Sequence, residues 1–124
     1  MINKYIMFDF AGTLVKMRPA TLLVRPNLLR KLTSRYYLGI ITGARKKETF
    51  NILNKLGINN MFTIIVTADD SKYRKPNPKL FVYKPAFYVG DTKKDELLAK
   101  NANVSFFRIN KKTDINQIFK ILLK

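Results

Sequence analysis

Within residues 5–14, YIMFDFAGTL, a run of large apolar side chains ends at the acidic residue Asp9. Residues 6–8 predict a buried strand, because the run is too short and too rich in β-forming residues for a helix. Gly12 permits a sharp turn after that strand. A carboxylate at the carboxyl end of a parallel strand lies where open α/β sheets bind ligands. Asp is also common in turns, so this stretch alone leaves a structural and a chemical role for Asp9 equally open.

The composition limits the chemistry that the chain can use. Its 124 residues contain no cysteine and no histidine, which excludes disulfides, thiolate chemistry, imidazole bases and His-bound metals. The net charge of +16 favours anionic partners such as phosphates or nucleic acid, although a solvated lysine-rich surface accounts for it equally well. The length predicts a single domain over residues 1–124. Without a transmembrane run or a signal-peptide layout, we expect a cytoplasmic protein that does not bind membranes.

Predicted strands and helices alternate along the chain. The strands lie at residues 4–9, 36–41, 61–67, 86–89 and 104–107. The helices begin at Pro26, cover residues 45–56 and 93–101, and follow a cap at Thr113 or Asp114. Residues 15–25 suit a short flap beside the end of the first strand. This alternation predicts an α/β fold with a five-stranded parallel sheet.

Reactive side chains follow three of the predicted strands. Asp9, Thr42 and Asp91 come directly after strands, and Lys75 lies in the loop after the third strand. Because the carboxyl ends of parallel strands meet at one edge, we expect these residues to converge. The set suits phosphoryl transfer, since Asp9 and Asp91 can hold Mg²⁺. Asp9 can then attack phosphorus and form an aspartyl-phosphate.

Neighbouring groups complete the predicted phosphate pocket. Backbone amides would bind phosphoryl oxygens together with the Thr42 hydroxyl. These amides belong to Gly12, Thr13, Gly43 and Ala44. Lys75 would neutralise the remaining charge and hold Asp9, and Asp95 would support the metal. Each residue also has an ordinary explanation: Thr42 in a turn, Lys75 in solvent, and Asp91 and Asp95 as helix caps.

Four short motifs occur in order over nearly the whole chain. They are residues 9–14 (DFAGTL), 40–43 (IITG), 75–78 (KPNP) and 89–95 (VGDTKKD). Together they resemble the motifs of the haloacid dehalogenase-like hydrolases. The resemblance implies a Rossmann-like three-layer fold and, for most members of the group, a Mg²⁺-dependent phosphatase that forms a phospho-aspartate.

The resemblance also implies a role for each matching residue. Asp9 is the nucleophile and a metal ligand. The backbone carbonyl of Ala11 and the carboxylate of Asp91 bind the metal as well. Thr42 binds the phosphoryl group and Lys75 stabilises it. Asp95 matches the second carboxylate of the fourth motif, as a ligand or as a support behind the ligands.

Ala11 departs from the pattern of the group. Most of its phosphatases carry there a second Asp, which protonates the leaving group and later activates water. Loss of a general acid/base typically lowers the rate by about 10²–10⁴-fold. Two functions therefore remain open: a phosphohydrolase with reduced activity, or an inactive module that binds anions or a partner.

Two short segments bear on the partners. Residues 15–25 are too few for a cap domain, so we expect a flap in its place and an open site. Its substrate would be a small phosphorylated metabolite or a large polyanion such as a nucleic-acid end. Residues 80–85 leave no room for the usual helix, so Phe81 and Tyr83 should be exposed and could form a homodimer contact.

Overall fold

Strands and helices alternate along residues 4–124, the part of the chain that this computed structural model describes. The elements are, in chain order, β1 (Tyr5–Asp9), β2 (Val15–Lys16), β3 (Thr21–Leu22), α1 (Pro26–Leu32), β4 (Tyr37–Ile41), α2 (Lys46–Leu56), β5 (Ile64–Val66), β6 (Phe87–Gly90), α3 (Lys93–Ala102), β7 (Ser105–Arg108) and α4 (Ile115–Leu122). Single 3₁₀ turns lie at Asn59–Met61 and Pro78–Leu80. Residues 1–3 of the predicted domain lie outside the described residues.

The central sheet has five parallel strands in the order β5-β4-β1-β6-β7. The chain builds outward from β1 through β4 to β5, and then returns to the other side of β1 for β6 and β7. The strand order therefore reverses between β1 and β6, where open α/β sheets form a crevice outside the carboxyl ends of their strands. Asp9, the last residue of β1, lies at this point.

The strands alternate their side chains between two apolar layers. Ile6 and Phe8 of β1 belong to the cluster that α1, α2 and α4 cover. Met7, between them, belongs to the cluster on the other face, which contains Leu98 of α3. Helices and loop segments thus cover both faces of the sheet. This arrangement confirms the predicted Rossmann-like three-layer α/β fold.

The hairpin of β2 and β3 is the regular structure between β1 and α1. Val15 pairs with Leu22 in antiparallel register. Between β1 and α1 there is no inserted domain in the described chain, as predicted. No helix within residues 4–124 has the length and apolar character needed to cross a membrane.

The segment before β6 differs in part from the prediction. Its single 3₁₀ turn buries Leu80 against the sheet. Phe81 is half-buried rather than exposed, because its ring packs edge-on against Tyr88 with centroids 5.3 Å apart. Tyr83 is 59% exposed, as expected, and Val82 beside it is 68% exposed.

Candidate active site

The predicted residues gather at the carboxyl edge of the sheet. Asp9 ends β1, and Thr42 and Asp91 directly follow β4 and β6, the two strands that flank β1. Asp95 lies in the first turn of α3. Lys75 reaches the same edge from the loop between β5 and β6. The fold therefore brings together residues that are far apart in sequence.

Lys75 joins two of the carboxylates. Its Nζ donates to Oδ1 of Asp9 at 2.6 Å and lies 2.8 Å from Oδ1 of Asp95. The Lys75 side chain is 16% exposed, so water screens these contacts less than it screens surface ion pairs. The ammonium group is thereby held at a fixed place beside Asp9.

Asp95 is fully buried and uses both of its oxygens. Oδ1 accepts from the Tyr88 hydroxyl at 2.6 Å as well as from Lys75. Oδ2 accepts from the Thr92 hydroxyl at 2.8 Å and from the Thr92 amide at 3.2 Å, which completes a capping box at the start of α3. Burial alone would raise the pKa of Asp95, but Lys75 and these hydrogen bonds outweigh it and hold the pKa below its ordinary value.

The same carboxylate depends on a glycine beneath it. A Cβ on Gly90 would lie 2.5 Å from Cβ of Asp95 and 2.6 Å from its Cγ, so no other residue fits there without displacing Asp95. Because both oxygens of Asp95 already have donors, the geometry favours a supporting role for this residue over direct metal ligation.

Asp9 and Asp91 face one another across a hydroxyl group. Thr13 Oγ1 lies 3.2 Å from Oδ2 of Asp9 and 3.3 Å from Oδ1 of Asp91. Burial raises the pKa of Asp9 to about 7; Lys75 opposes this shift, while Asp91 and Asp95 add to it. Asp9 is thus a buried carboxylate whose negative charge is only partly compensated by the protein.

The donor set fits a Mg²⁺ ion. Ligand oxygens of Asp9, Asp91 and Asp95 lie within 4.8 Å of one another, and Mg²⁺ prefers one or two carboxylates completed by water and phosphate oxygens. Oδ2 of Asp9 and the Asp91 carboxylate can supply these, since Lys75 occupies Oδ1 of Asp9. Gly12 leaves the room that Asp91 needs: a Cβ there would lie 2.4 Å from Oδ2 of Asp91.

Three of the four amides predicted to hold phosphate donate to groups within the chain. The Gly12 amide donates to the Val15 carbonyl at 2.8 Å, and the Thr13 amide donates to the Phe10 carbonyl at 3.1 Å. These bonds close the tight turn after β1, so Thr13 faces the site through its hydroxyl instead.

The turn after β4 is likewise closed by an internal bond. The Ala44 amide donates to the Thr42 hydroxyl at 3.1 Å. Helix α2 begins only at Lys46, whose amide donates to Asp69 at 2.7 Å. Gly43 remains beside a cleft, and a Cβ on it would meet nothing within 4 Å.

A cleft of about 320 Å³ adjoins the carboxylates and shares Lys75 with them. Its lining comprises Ile41, Thr42, Gly43, Thr67, Tyr73, Arg74, Lys75, Leu80 and Lys94. Sequence reasoning placed only Thr42, Gly43 and Lys75 here. Arg74 directly precedes Lys75, which was a usable signal. Nothing in the sequence separates Lys94 from its neighbour Lys93.

Comparison with known proteins identifies the family. A family model described as haloacid dehalogenase-like hydrolase matches residues 25–109, a range that contains three of the four motifs. A phosphoglycolate phosphatase from Colwellia psychrerythraea is 31% identical in an alignment 107 residues long, which covers 76% of this chain and 47% of that protein. The chain thus spans about half the length of this relative.

Solved structures agree with the family match. A hydrolase from Streptococcus pneumoniae is similar with a TM-score of 0.80 at 16% identity, over 98% of this chain and 99% of that one, which shows the fold alone. A phosphatase from Thermococcus thioreducens has a TM-score of 0.71 at 25% identity, over 84% of this chain and 46% of that one. In agreement with the order of its motifs, the chain belongs to the haloacid dehalogenase-like hydrolase family.

Proposed function

We propose that this chain is a Mg²⁺-dependent phosphohydrolase that acts through an aspartyl-phosphate on Asp9. The observation that carries the proposal is the position of Asp9, which is buried at the reversal point of the sheet between the Lys75 ammonium and the Asp91 carboxylate. The phosphatases from Colwellia psychrerythraea and Thermococcus thioreducens support the same reaction class. Phosphoglycolate is therefore the first natural substrate to test.

The reaction has two steps at Asp9. An oxygen of its carboxylate attacks phosphorus, a new bond forms between them, and the ester bond to the leaving group breaks. Water then attacks the phosphorus of the aspartyl-phosphate, and the bond to Asp9 breaks to release inorganic phosphate. Lys75 offsets the charge on the phosphoryl oxygens in both steps and fixes the orientation of Asp9. Asp9 and Asp91 would hold Mg²⁺, which when bound neutralises phosphate charge as a Lewis acid.

Ala11 limits the rate of both steps. In this family the residue at its position gives a proton to the leaving group and then takes one from water. Here the leaving group must take its proton from solvent, so esters with good leaving groups should react fastest. The Ala11 side chain is exposed, so a carboxylate can be introduced there without displacing buried atoms.

The test is Mg²⁺-dependent hydrolysis of 4-nitrophenyl phosphate by the unaltered chain and by Ala11→Asp. We expect Ala11→Asp to be faster by about 10²-fold or more, the effect typical of a general acid/base. Asp9→Asn in each background is the control and should abolish turnover. Absence of turnover in both chains would contradict the proposal.

A second candidate function is an anion-binding or partner-binding module without turnover, and Ala11 is the observation that favours it. Phosphoryl capture separates the two functions. A hydrolase of this mechanism should become labelled at Asp9 by a reactive phosphate donor in Mg²⁺, as seen by intact mass. A pure binding module should bind phosphate without a covalent adduct.

The open site and the charge of +16 also bear on partners. A small phosphorylated metabolite and a phosphorylated nucleic-acid end are both candidate substrates. Capture of a polyanion should weaken steeply as salt rises, because bound counterions are released. The exposed pair Val82 and Tyr83 is a candidate homodimer contact, which sedimentation at high protein concentration would test.

A further inference from the structure

The cleft beside the carboxylates holds more positive charge than one phosphoryl group needs. Lys75 is neutralised within the protein, because it contacts both Asp9 and Asp95. Arg74 and Lys94 also line the cleft, and neither forms a salt bridge within residues 4–124. No acidic side chain of the described chain lines this space. Two basic residues without a salt-bridge partner in the described chain therefore line it.

These two cations come from different elements. Arg74 belongs to the loop that carries Lys75, and its Nη1 donates to the carbonyls of Ser71 at 2.7 Å and Tyr73 at 2.9 Å. Its guanidinium is thus fixed in place by the loop. Lys94 is the second residue of α3 and directly precedes the buried Asp95. The position of its backbone is therefore set by the capping box.

The remainder of the cleft is partly apolar. Ile41, Leu80 and the Tyr73 ring contribute to its lining. The ammonium groups of Lys72 and Lys79 lie 5.4 and 5.5 Å from the centroid of that ring, which adds positive potential near the cleft. A volume of about 320 Å³ is at the lower end for small-molecule sites. The cleft thus fits a compact organic group that carries a negative charge.

We propose that this cleft is a subsite for a second anionic group, and that Lys94 and Arg74 determine specificity for it. The preferred substrate is then a phosphate ester whose leaving group carries its own carboxylate or phosphate. The inference rests on the proposed function, since the scissile phosphoryl group would occupy the space between Asp9 and Thr42.

The test uses two phosphonates that bind without turnover. They are 3-carboxyphenylphosphonate and its neutral isostere 3-carbamoylphenylphosphonate, titrated by calorimetry in Mg²⁺. We expect the carboxylate to bind at least about fivefold more tightly, the ratio that ~1 kcal/mol gives at 25 °C. Lys94→Gln should remove most of this preference and Lys94→Glu should reverse it.

The matched control is Lys93→Gln. Lys93 is an exposed lysine on the same helix turn, it does not line the cleft, and its removal changes the net charge equally. The control should keep the preference. Equal affinities of the two phosphonates, or equal losses in Lys93→Gln and Lys94→Gln, would overturn the inference.

Turnover of an aryl phosphate distinguishes failure of the proposed subsite from failure of the proposed phosphohydrolase activity. Hydrolysis of 4-nitrophenyl phosphate without any preference between the phosphonates would remove the second-anion subsite and leave the phosphohydrolase. A preference that depends on Lys94 in a chain without turnover would support the subsite and remove the hydrolase.

Discussion

Substitution of Asp95 tests whether this buried carboxylate holds the site together. Asp95 has no exposed surface, and it accepts hydrogen bonds from Tyr88 and Thr92 in addition to its ion pair with Lys75. Removing one partner of a buried ion pair typically costs about 3–5 kcal/mol. Leaving the buried Tyr88 hydroxyl without its acceptor costs about 1–3 kcal/mol.

These contributions overlap, because all of the donors meet one carboxylate. We therefore expect Asp95→Ala to lower the free energy of unfolding by about 3–5 kcal/mol in total. That is a large part of the roughly 5–15 kcal/mol available to a domain. Asp95→Asn keeps the shape and one acceptor oxygen, so its loss should be smaller.

The assay is urea unfolding followed by circular dichroism in EDTA, so that bound metal does not contribute. Glu96→Ala is the matched control. Glu96 is the next residue of α3, it is exposed, and its contact with Arg108 is long at 3.6 Å, so its loss should stay within about 0.5 kcal/mol. If Asp95→Ala changes the free energy of unfolding by less than about 1 kcal/mol, the reasoning is refuted.

Two further predictions concern the metal side of the site. The first compares the free energies of unfolding of Asp9→Asn and the unaltered chain in EDTA. The difference should shift in favour of Asp9→Asn as the pH rises from about 4 to 7, by at most about 4 kcal/mol at 1.36 kcal/mol per pKa unit. Urea unfolding at several pH values measures it. Gly12→Ala should weaken Mg²⁺ binding, measured by calorimetry, because its Cβ would meet Asp91. Gly57→Ala is its matched control: Gly57 has φ +71 against +86 for Gly12, and its Cβ would meet nothing within 4 Å.

The sign of the first of these predictions follows from the raised pKa of Asp9. Its pKa is about 7 in the folded chain and 3.8 ordinarily. Between these values the folded state binds more protons, so the stability of the unaltered chain falls as the pH rises. Asn carries no such charge. A difference between the two chains that is constant with pH would contradict the pKa shift.

Comparison of Gly12→Ala with Gly57→Ala separates backbone strain from contact with Asp91. Both alanines suffer the strain of a positive φ, which costs on the order of 1 kcal/mol. Only the Gly12 variant adds contact with a carboxylate. Equal Mg²⁺ affinity in both variants would show that Asp91 does not bind the metal.

The sequence predicts the sheet and the strand ends because these follow from local patterns. The apolar run before Asp9 and the alternation of strands with helices suffice to place three reactive residues at one edge. The hydrogen-bond partner of each polar group could not be predicted in this way. The amides of Gly12 and Thr13 donate the hydrogen bonds that close the turn at Gly12. Only the folded backbone shows that these amides already have acceptors.

Other contacts between distant segments were out of reach. The sequence predicts that Lys75 holds Asp9, 66 residues away, but no local pattern predicts that Lys75 also contacts Asp95. Phe81 is shielded by Tyr88, a contact that depends on how the loop before β6 folds back. Lys94 lines the cleft and its neighbour Lys93 does not, a difference that the sequence of two adjacent lysines does not show.

Asp95 and Asp9 differ in how strongly each one indicates a chemical function rather than a structural role. Asp95 serves as a helix cap through Oδ2 and as a partner of Lys75 through Oδ1, so the structural and chemical explanations both hold for it. Its contribution to stability is by itself a sufficient reason for a carboxylate at this position. Asp9 is different, because a buried carboxylate with a pKa of about 7 lowers the stability of the metal-free fold at neutral pH. A residue that costs stability is best explained by chemistry, so Asp9 is the stronger indicator of function.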